Sequence, residues 1–335
     1  MQPADRKIKV AVAICEAHEV EDLIRYGADE FYCGVDSQDY PFSLNRREMP
    51  HGNVSSFEEL KQIVTLSAAH GVPVYVTLNK SYYTQNEIEQ VTASADRFLE
   101  AGASGFIVSD IGLMEYLACR DWGGVKPRFH LSSVAAPMNS EAVDFYRRRY
   151  EIERAILPRL RLNEIEQITA HSPDLEFEVL ILGWYCPNLD GICSFQHDLK
   201  EHAPDHTVRE FLDNGCCLLY DLEMLAERPT ALDSRCLEIM QRRFSNVLVR
   251  MSAACECCYI QDLDRFNVTS LKIVSRLMRK EQKVNCVKFV RRAIAFLDLY
   301  TDRREYAFQV RKLYKIMFGF DCMQNCYIQA KVQTV

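Results

Sequence analysis

Short apolar, β-branched runs recur along the chain, and each is followed by a longer stretch of helical periodicity. IKVAVAI (residues 8–14) leads into EVEDLIRYG, and EFYCGV (30–35) comes next. SSFEELKQIVTLSAAHG opens on a capping-box pattern, Ser56 with Glu59 three positions on, and stops at Gly71. PVYVTLN (73–79), GFIVSD (105–110), RFHLSS (128–133), RAILPR (154–159) and FEVLILG (177–183) continue the strand series. Between them lie the helical patterns NEIEQVTASADRFLEAGA, a helix through Glu115, SEAVDFYRRRY and LNEIEQITAHS. An eighth strand, SLKIVS (270–275), comes only after residues 184–269, and helical patterns then run from Val284 to Phe318.

Alternation of this kind predicts a parallel sheet, and eight strands predict a TIM-type (β/α)8 barrel. We place the barrel at residues 1–300, with a cysteine-rich insertion at 184–269 between strands seven and eight, and a C-terminal helical extension at 301–335. An open doubly wound sheet would usually carry a glycine-rich turn after its first strand, and CEAHEV has no glycine. In such barrels branched side chains fill the strand interiors, and chemistry sits at the C-terminal strand ends. The polar residues at those ends are Asn79 with Lys80, Ser109 with Asp110, His130 with Ser132 and Ser133, Arg159, and Arg276. Singly each reads as a cap or a solvated loop residue. As a ring they make a polar pocket.

With 335 residues, 48% of them hydrophobic, the chain can bury a large core. MQPADRKIKV at the N-terminus is polar, and no later run approaches the roughly twenty apolar residues of a membrane span, so a cytoplasmic protein without a targeting segment is expected. The fourteen cysteines of such a chain should then remain thiols. Cys15, Cys33 and Cys119 are the only three in the first 185 residues, and the first two sit in apolar runs as inert buried thiols would. The other eleven fall between Cys186 and Cys326, so the composition changes near Cys186.

Three cysteine segments stand out. In WYCPNLDGICSFQH a Pro, Asn, Asp and Gly turn separates Cys186 from Cys193 and lets both sulfurs face one centre; NGCC holds Cys216 and Cys217; ACECCYI spaces Cys255 and Cys258 as C-x2-C around Cys257. Four thiolates from three segments suit tetrahedral zinc or an iron-sulfur cluster, and spacing alone does not decide. The plain alternative is buried thiols, which polar, turn-rich sequence disfavours. Cys322 and Cys326, a looser C-x3-C in DCMQNC, read as a pair on a terminal helix rather than a second ligand pair, and Cys236 and Cys286 read as packing residues. Cys193 and His197, four apart, form an alternative thiolate and base pair, a role that excludes metal binding. GxSxG, HExxH, GxxxxGK and GxGxxG patterns are absent.

The segments YGADEFYCGV, FEELKQIVTLSAAHGVPVYVTLN, LEAGASGFIVSDIGLM, FHLSS, the cysteine pair after FEVLILG, and SLKIVSR occur in the order that resembles peptidase family U32. The resemblance implies a TIM-type barrel. It also implies a four-cysteine 4Fe-4S protein that hydroxylates without oxygen, since studied members include a prephenate-dependent tRNA hydroxylase, an rRNA cytidine hydroxylase and paired accessory proteins of anaerobic ubiquinone synthesis. Carried over, the ligands are Cys186, Cys193, Cys217 and Cys255, with Cys216 and Cys258 as alternates. Departures bear on the substrate: LSSVAAP lacks the family's glutamine, and Arg159 is followed by Leu160 where the family has glutamate.

The function expected on this resemblance is oxygen-independent hydroxylation of a small-molecule or RNA acceptor, with prephenate as oxygen donor and a second U32 protein as a heteromeric partner. Peptidase activity and a zinc-stabilised binding protein are the alternatives. A donor with two carboxylates needs cations, for which Arg159, Lys272 and Arg276 are candidates beside Asn79 and His130. A net charge of −7 opposes general affinity for nucleic acid. From Leu271 to Lys315, however, thirteen Lys or Arg face four Asp or Glu, an excess of nine. That stretch reads as an RNA-backbone track or as the solvated face of two helices.

Overall fold

A computed structural model describes residues 8–36, 52–124, 126–184, 190–191, 234, 254–322 and 326. Strands β1 (Lys9–Ala13), β2 (Glu30–Cys33), β3 (Val74–Leu78), β4 (Gly105–Val108), β5 (Arg128–Leu131), β6 (Arg154–Leu157) and β7 (Glu176–Gly183) pair in parallel, each with the next. The eighth barrel strand is β9 (Ser270–Val274), which pairs with both β7 and β1 and closes the ring. The predicted TIM-type barrel is therefore the observed fold. Patterning found all eight strands because each buries an outer face against helices.

The helices are α1 (Val20–Arg25), α2 (Phe57–Ala68), α3 (Gln85–Glu100), α4 (Ile111–Ala118), α5 (Ser140–Tyr150), α6 (Leu162–His171), α7 (Ile260–Arg265), α8 (Lys280–Ala295) and α9 (Arg303–Phe318). Ser56 caps α2 by accepting from the Glu59 N–H at 3.2 Å. The predicted box is only half formed, because the Glu59 carboxylate accepts instead from the Ala17 backbone N–H at 2.6 Å. Tertiary contact to the turn after β1 outcompetes the local bond.

One strand had no sequence signal. β8 (Ala254–Cys255) runs antiparallel to β7 at Leu182 and Gly183, beside an irregularity between Leu180 and Leu182. Two residues are too few for a period to show. A 3-10 turn at Cys257–Tyr259 follows, then α7, which packs beside α6. Residues 254–269 thus belong to the barrel's own helix layer. α8 lies on β1 and α1 as the barrel's last helix, and α9 packs outside it, on α8 and on the Cys257–Tyr259 turn.

Two apolar clusters result. The larger fills the space between barrel and helices, while a small one of Ala13, Tyr32, Tyr75, Ile107, Ile156 and Leu180 crosses the lumen. Branched side chains were expected to fill that lumen throughout. At its N-terminal end it is instead charged, because Glu30, Arg154 and Glu176 open their strands on the inward register. Arg154 is fully buried and donates to both oxygens of Glu30 (2.5 and 2.8 Å), to Glu178 (3.0 Å) and to Glu176 (2.9 Å). Lys9 joins Glu30 and Glu176 at 3.2 and 3.1 Å, and the Ser270 hydroxyl donates to Glu30 at 3.3 Å.

Candidate functional site

Inward residues of successive strands build a polar chamber above that charged layer. Lys272, on β9, pairs with Glu178 at 2.7 Å and holds its ammonium 3.9 Å from the centroid of the Tyr32 ring. Burial pushes the Lys272 pKa down and the Glu178 carboxylate restores part of it, for a net lowering. Arg276, just past the same strand, sits 5.8 Å from the same ring and donates to Thr77 Oγ1 at 2.8 Å and Asn53 Oδ1 at 3.4 Å. Tyr32 donates to the Ile273 carbonyl at 2.8 Å, which fixes the ring within reach of both cations. Burial raises its hydroxyl to about 12, so it stays protonated, and its oxygen also accepts the Ser275 N–H at 3.5 Å.

Two residues past Thr77, Asn79 donates to Ser132 Oγ at 3.3 Å, and its own Oδ1 is buried without a hydrogen-bond partner. His130 lies one inward step below Ser132, fully buried, with its ring centroid 4.1 Å from that of Tyr75. Neither ring nitrogen has a partner. Burial first, then the charges of Arg154, Arg128 and Lys272, holds its pKa well below the ordinary histidine value. His130 is accordingly neutral, with one nitrogen able to donate and the other to accept. Two unpartnered buried polar groups in one chamber are costly unless something meets them.

The neutral state of His130 has a pH consequence. An unfolded histidine takes a proton below about pH 6.5 and the folded one does not, so its contribution to stability is complete above that value and is lost as pH falls beneath it. We expect the His130 ring resonances not to titrate between about pH 5 and 8 in an NMR titration. A midpoint near the ordinary value would show that the ring is solvated.

The other predicted residues fall outside the chamber. Arg159 is at the rim, donating to Asp190 at 3.2 and 3.3 Å and to the Trp184 carbonyl at 3.2 Å. Gly191 follows, and a Cβ there would come 2.3 Å from the Val134 carbonyl, so the chain crosses directly over the turn after β5. Asp110 caps α4 through the Leu113 N–H, and the Ser109 hydroxyl donates to the Lys80 carbonyl. The Lys80 ammonium is buried against Glu87 at 2.7 Å. Asp110, Ser109 and Lys80 thus belong to local structure.

Cys186, Cys193, Cys216 and Cys217, with His197, lie outside the described residues. Cys255 and Cys258 are described and do not face the chamber. Both belong to the apolar layer between barrel and helices. These two therefore lie apart from the polar chamber. Of the implied 4Fe-4S ligands, Cys255 and its alternate Cys258 are among the described residues: burial holds the Cys255 thiol well above its ordinary value, and the Cys257 N–H that its sulfur accepts at 3.3 Å opposes this only in part.

Patterning missed Thr77, Tyr32 and Asn53, which hold the two cations, and the whole charged layer below. A signal existed for the layer. Glu30, Arg154, Glu176 and Glu178 stand at alternate positions inside apolar strands, where an unpaired charge is too costly to bury.

The profile of peptidase family U32 matches residues 15–330. The chain belongs to peptidase family U32. This U32 chain is 28% identical over 199 residues to the tRNA hydroxylation protein P of Escherichia coli (strain K12), covering 59% of the chain and 40% of that protein. It is 25% identical over 201 residues to the Haemophilus influenzae protein of the same name, again covering 59% and 40%. It thus matches less than half the length of either relative. Among solved structures, the U32 peptidase Mk0906 superposes with a TM-score of 0.49 at 12% identity, over 82% of this chain and 95% of that one. Among the described residues no helix of the U32 chain is long and apolar enough to cross a membrane.

Proposed function

We propose that this U32 chain is an iron-sulfur protein of oxygen-independent RNA hydroxylation, with tRNA as acceptor and a dicarboxylate such as prephenate as oxygen donor. The observation that carries the reading is its similarity, over 59% of its length, to proteins named for tRNA hydroxylation. The chamber supports the donor. Lys272 and Arg276 approach Tyr32 together, and a guanidinium binds a carboxylate in two parallel bonds. Asn79 and His130 offer neutral hydrogen-bonding groups in the same chamber.

When bound, the cluster would supply electrons at low potential. The chain's own residues bind and orient: Arg276 takes the carboxylate, Tyr32 lies within reach of both cations, and neutral His130 exchanges a hydrogen bond with the bound molecule. Cluster ligands from residues 186–217 join the resemblance's fourth ligand, Cys255 or Cys258.

RNA binding draws on the basic stretch only in part. Five of its cations are paired within the fold: Lys272 with Glu178, Lys280 with Asp22, Lys283 with Glu19, Arg291 with Asp29, and Arg303 with Asp262. Arg279, Arg292, Arg304, Lys312 and Lys315 remain on the exposed face of α8 and α9 and its edges, available to phosphates.

The test is mass spectrometry of tRNA nucleosides from host cells lacking this protein and complemented with wild type or Arg276→Ala, beside iron and sulfide analysis of anaerobically purified wild type and Cys186→Ala. A hydroxylated nucleoside should vanish in the deletion and return with wild type. Arg276→Ala should need a roughly tenfold to hundredfold higher donor concentration, the loss of one charged bidentate contact. Unchanged tRNA nucleosides in the deletion strain, or wild-type protein free of iron and sulfide, would end this reading.

A further inference from the structure

Lys272 stands where the charged layer meets the chamber. Its strand neighbours Leu271 and Ile273 point outward into the apolar layer and are fully sealed, while Lys272 keeps 10% of its side chain exposed, so that remnant opens into the lumen. Arg276 lies two inward steps nearer the mouth, and its guanidinium and the Lys272 ammonium approach one ring, at 5.8 and 3.9 Å from the Tyr32 centroid. His130, buried with neither ring nitrogen partnered, belongs to the same chamber. An amine and a guanidinium on one aromatic ring, with an unused donor and acceptor nearby, match a carbonyl carbon that carries a carboxylate on the next atom.

The amine is prepared for attack. Burial depresses its pKa, and Arg276 and Arg154 add to this against the pull of Glu178. Glu178, at 2.7 Å, is placed to take one ammonium proton, and Arg154 bonds to that carboxylate at 3.0 Å. The plain alternative is an ion pair that balances the charged layer. It explains the 2.7 Å contact. It does not explain why the lysine keeps an opening to the chamber, or why a guanidinium and an unsatisfied histidine gather there.

We propose that Lys272 is a catalytic nucleophile that forms an imine with a 2-oxo acid whose carboxylate is held by Arg276. The inference rests on the chamber being the donor's site, and it narrows the donor from a carboxylate compound to a 2-oxo acid. Glu178 takes a proton from the ammonium, and the freed lone pair adds to the oxo carbon. Two of the three ammonium protons, carried by Glu178 and His130, then leave with the carbonyl oxygen as water, and the C=N bond forms. No oxidant or reductant is needed. The protonated imine keeps the single positive charge of the ammonium, so Glu178 retains its partner and the Tyr32 ring its cation. Such an imine draws electrons from the bonds beside it, which is how a lysine activates a carbonyl substrate.

The experiment incubates anaerobically purified full-length protein with pyruvate, the simplest 2-oxo acid, reduces any imine with sodium cyanoborohydride, and locates the adduct by peptide mass spectrometry. The samples are wild type, Lys272→Arg, Arg276→Ala, and wild type with lactate in place of pyruvate. Wild type should gain the mass of pyruvic acid less one oxygen atom at Lys272, and neither the lactate sample nor Lys272→Arg should carry it. Arg276→Ala should need a roughly tenfold to hundredfold higher pyruvate concentration for half-maximal labelling. The wild-type measurement needs no variant to fold. No adduct at Lys272, labelling of surface lysines to the same extent, or Arg276→Ala labelled as readily as wild type would each overturn the proposal. Trapping requires neither cluster nor tRNA, so missing iron or unchanged tRNA nucleosides would end the hydroxylase reading alone, and an unlabelled Lys272 would end this inference alone.

Discussion

Arg154→Met is expected to destabilise the barrel by about 3–5 kcal/mol, the cost of removing one partner from a buried ionic network. The side chain is fully buried and bonds to Glu30, Glu176 and Glu178, of which Glu30 and Glu178 are themselves buried. The substitution keeps most of the volume, so the loss is electrostatic: carboxylates remain in the lumen with only Lys9 and Lys272 beside them. Urea unfolding measures it. A loss below about 1 kcal/mol would mean that water already solvates the layer.

The same network sets an acid limit. Burial pushes the Glu30 and Glu176 carboxyls up, but bonds and charge from Arg154 and Lys9 more than reverse this, and both end below the ordinary carboxylate value. Groups with depressed folded pKa values contribute stability above the unfolded value of about 4.3, and that stability is lost as pH falls through the folded values. In Arg154→Met burial acts with less opposition, and protonation relieves the strain. The gap between wild type and variant should therefore narrow as pH falls toward 4.

Lys283→Met is expected to cost a similar ~3–5 kcal/mol. The Lys283 ammonium, on α8, is 1% exposed and lies 2.8 Å from both oxygens of Glu19, which is 5% exposed. It also approaches Cys15 Sγ at 3.4 Å, and Glu19 accepts the Cys15 N–H at 3.0 Å. The pair ties the barrel's last helix to the turn after its first strand. Truncating the lysine strands the carboxylate. Glu19→Gln combined with Lys283→Met should recover part of the loss, since a neutral amide tolerates burial better. Equal instability of the single and double variants would show that packing, and not charge, carries the contact.

Cys15 shows how far a local reading reaches. Its apolar run marked it as a buried thiol, and it is buried. Its neighbour Lys283 is 268 residues away, so no local pattern could place an ammonium beside it. Lys272 and His130 differ in another way. His130 looked like a residue at a strand end and Lys272 like a free cation for a carboxylate, but strand register sets both inside the lumen, Lys272 against Glu178 and His130 against Tyr75. Arg276 and Asn79 kept their place at the top of the chamber because the strands carrying them end where the apolar run ends. The C-x3-C of Cys322 and Cys326 looked like a terminal pair, and only the packing of α9 on the Cys257–Tyr259 turn gives it partners.

The amino-acid sequence by itself determined the barrel. Period-two apolar runs alternating with helical periods are local, repeated eight times, and have few other ways to bury their faces. Which side chains then meet was decided only by the tertiary structure. Closing the ring brings β9 beside β1 and sets Arg154 among carboxylates from β2 and β7, and docking α9 on the barrel carries Cys322 and Cys326 to Cys255 and Cys258. The energy of these contacts depends on burial and on partners far along the chain, and neither exists until the chain has folded.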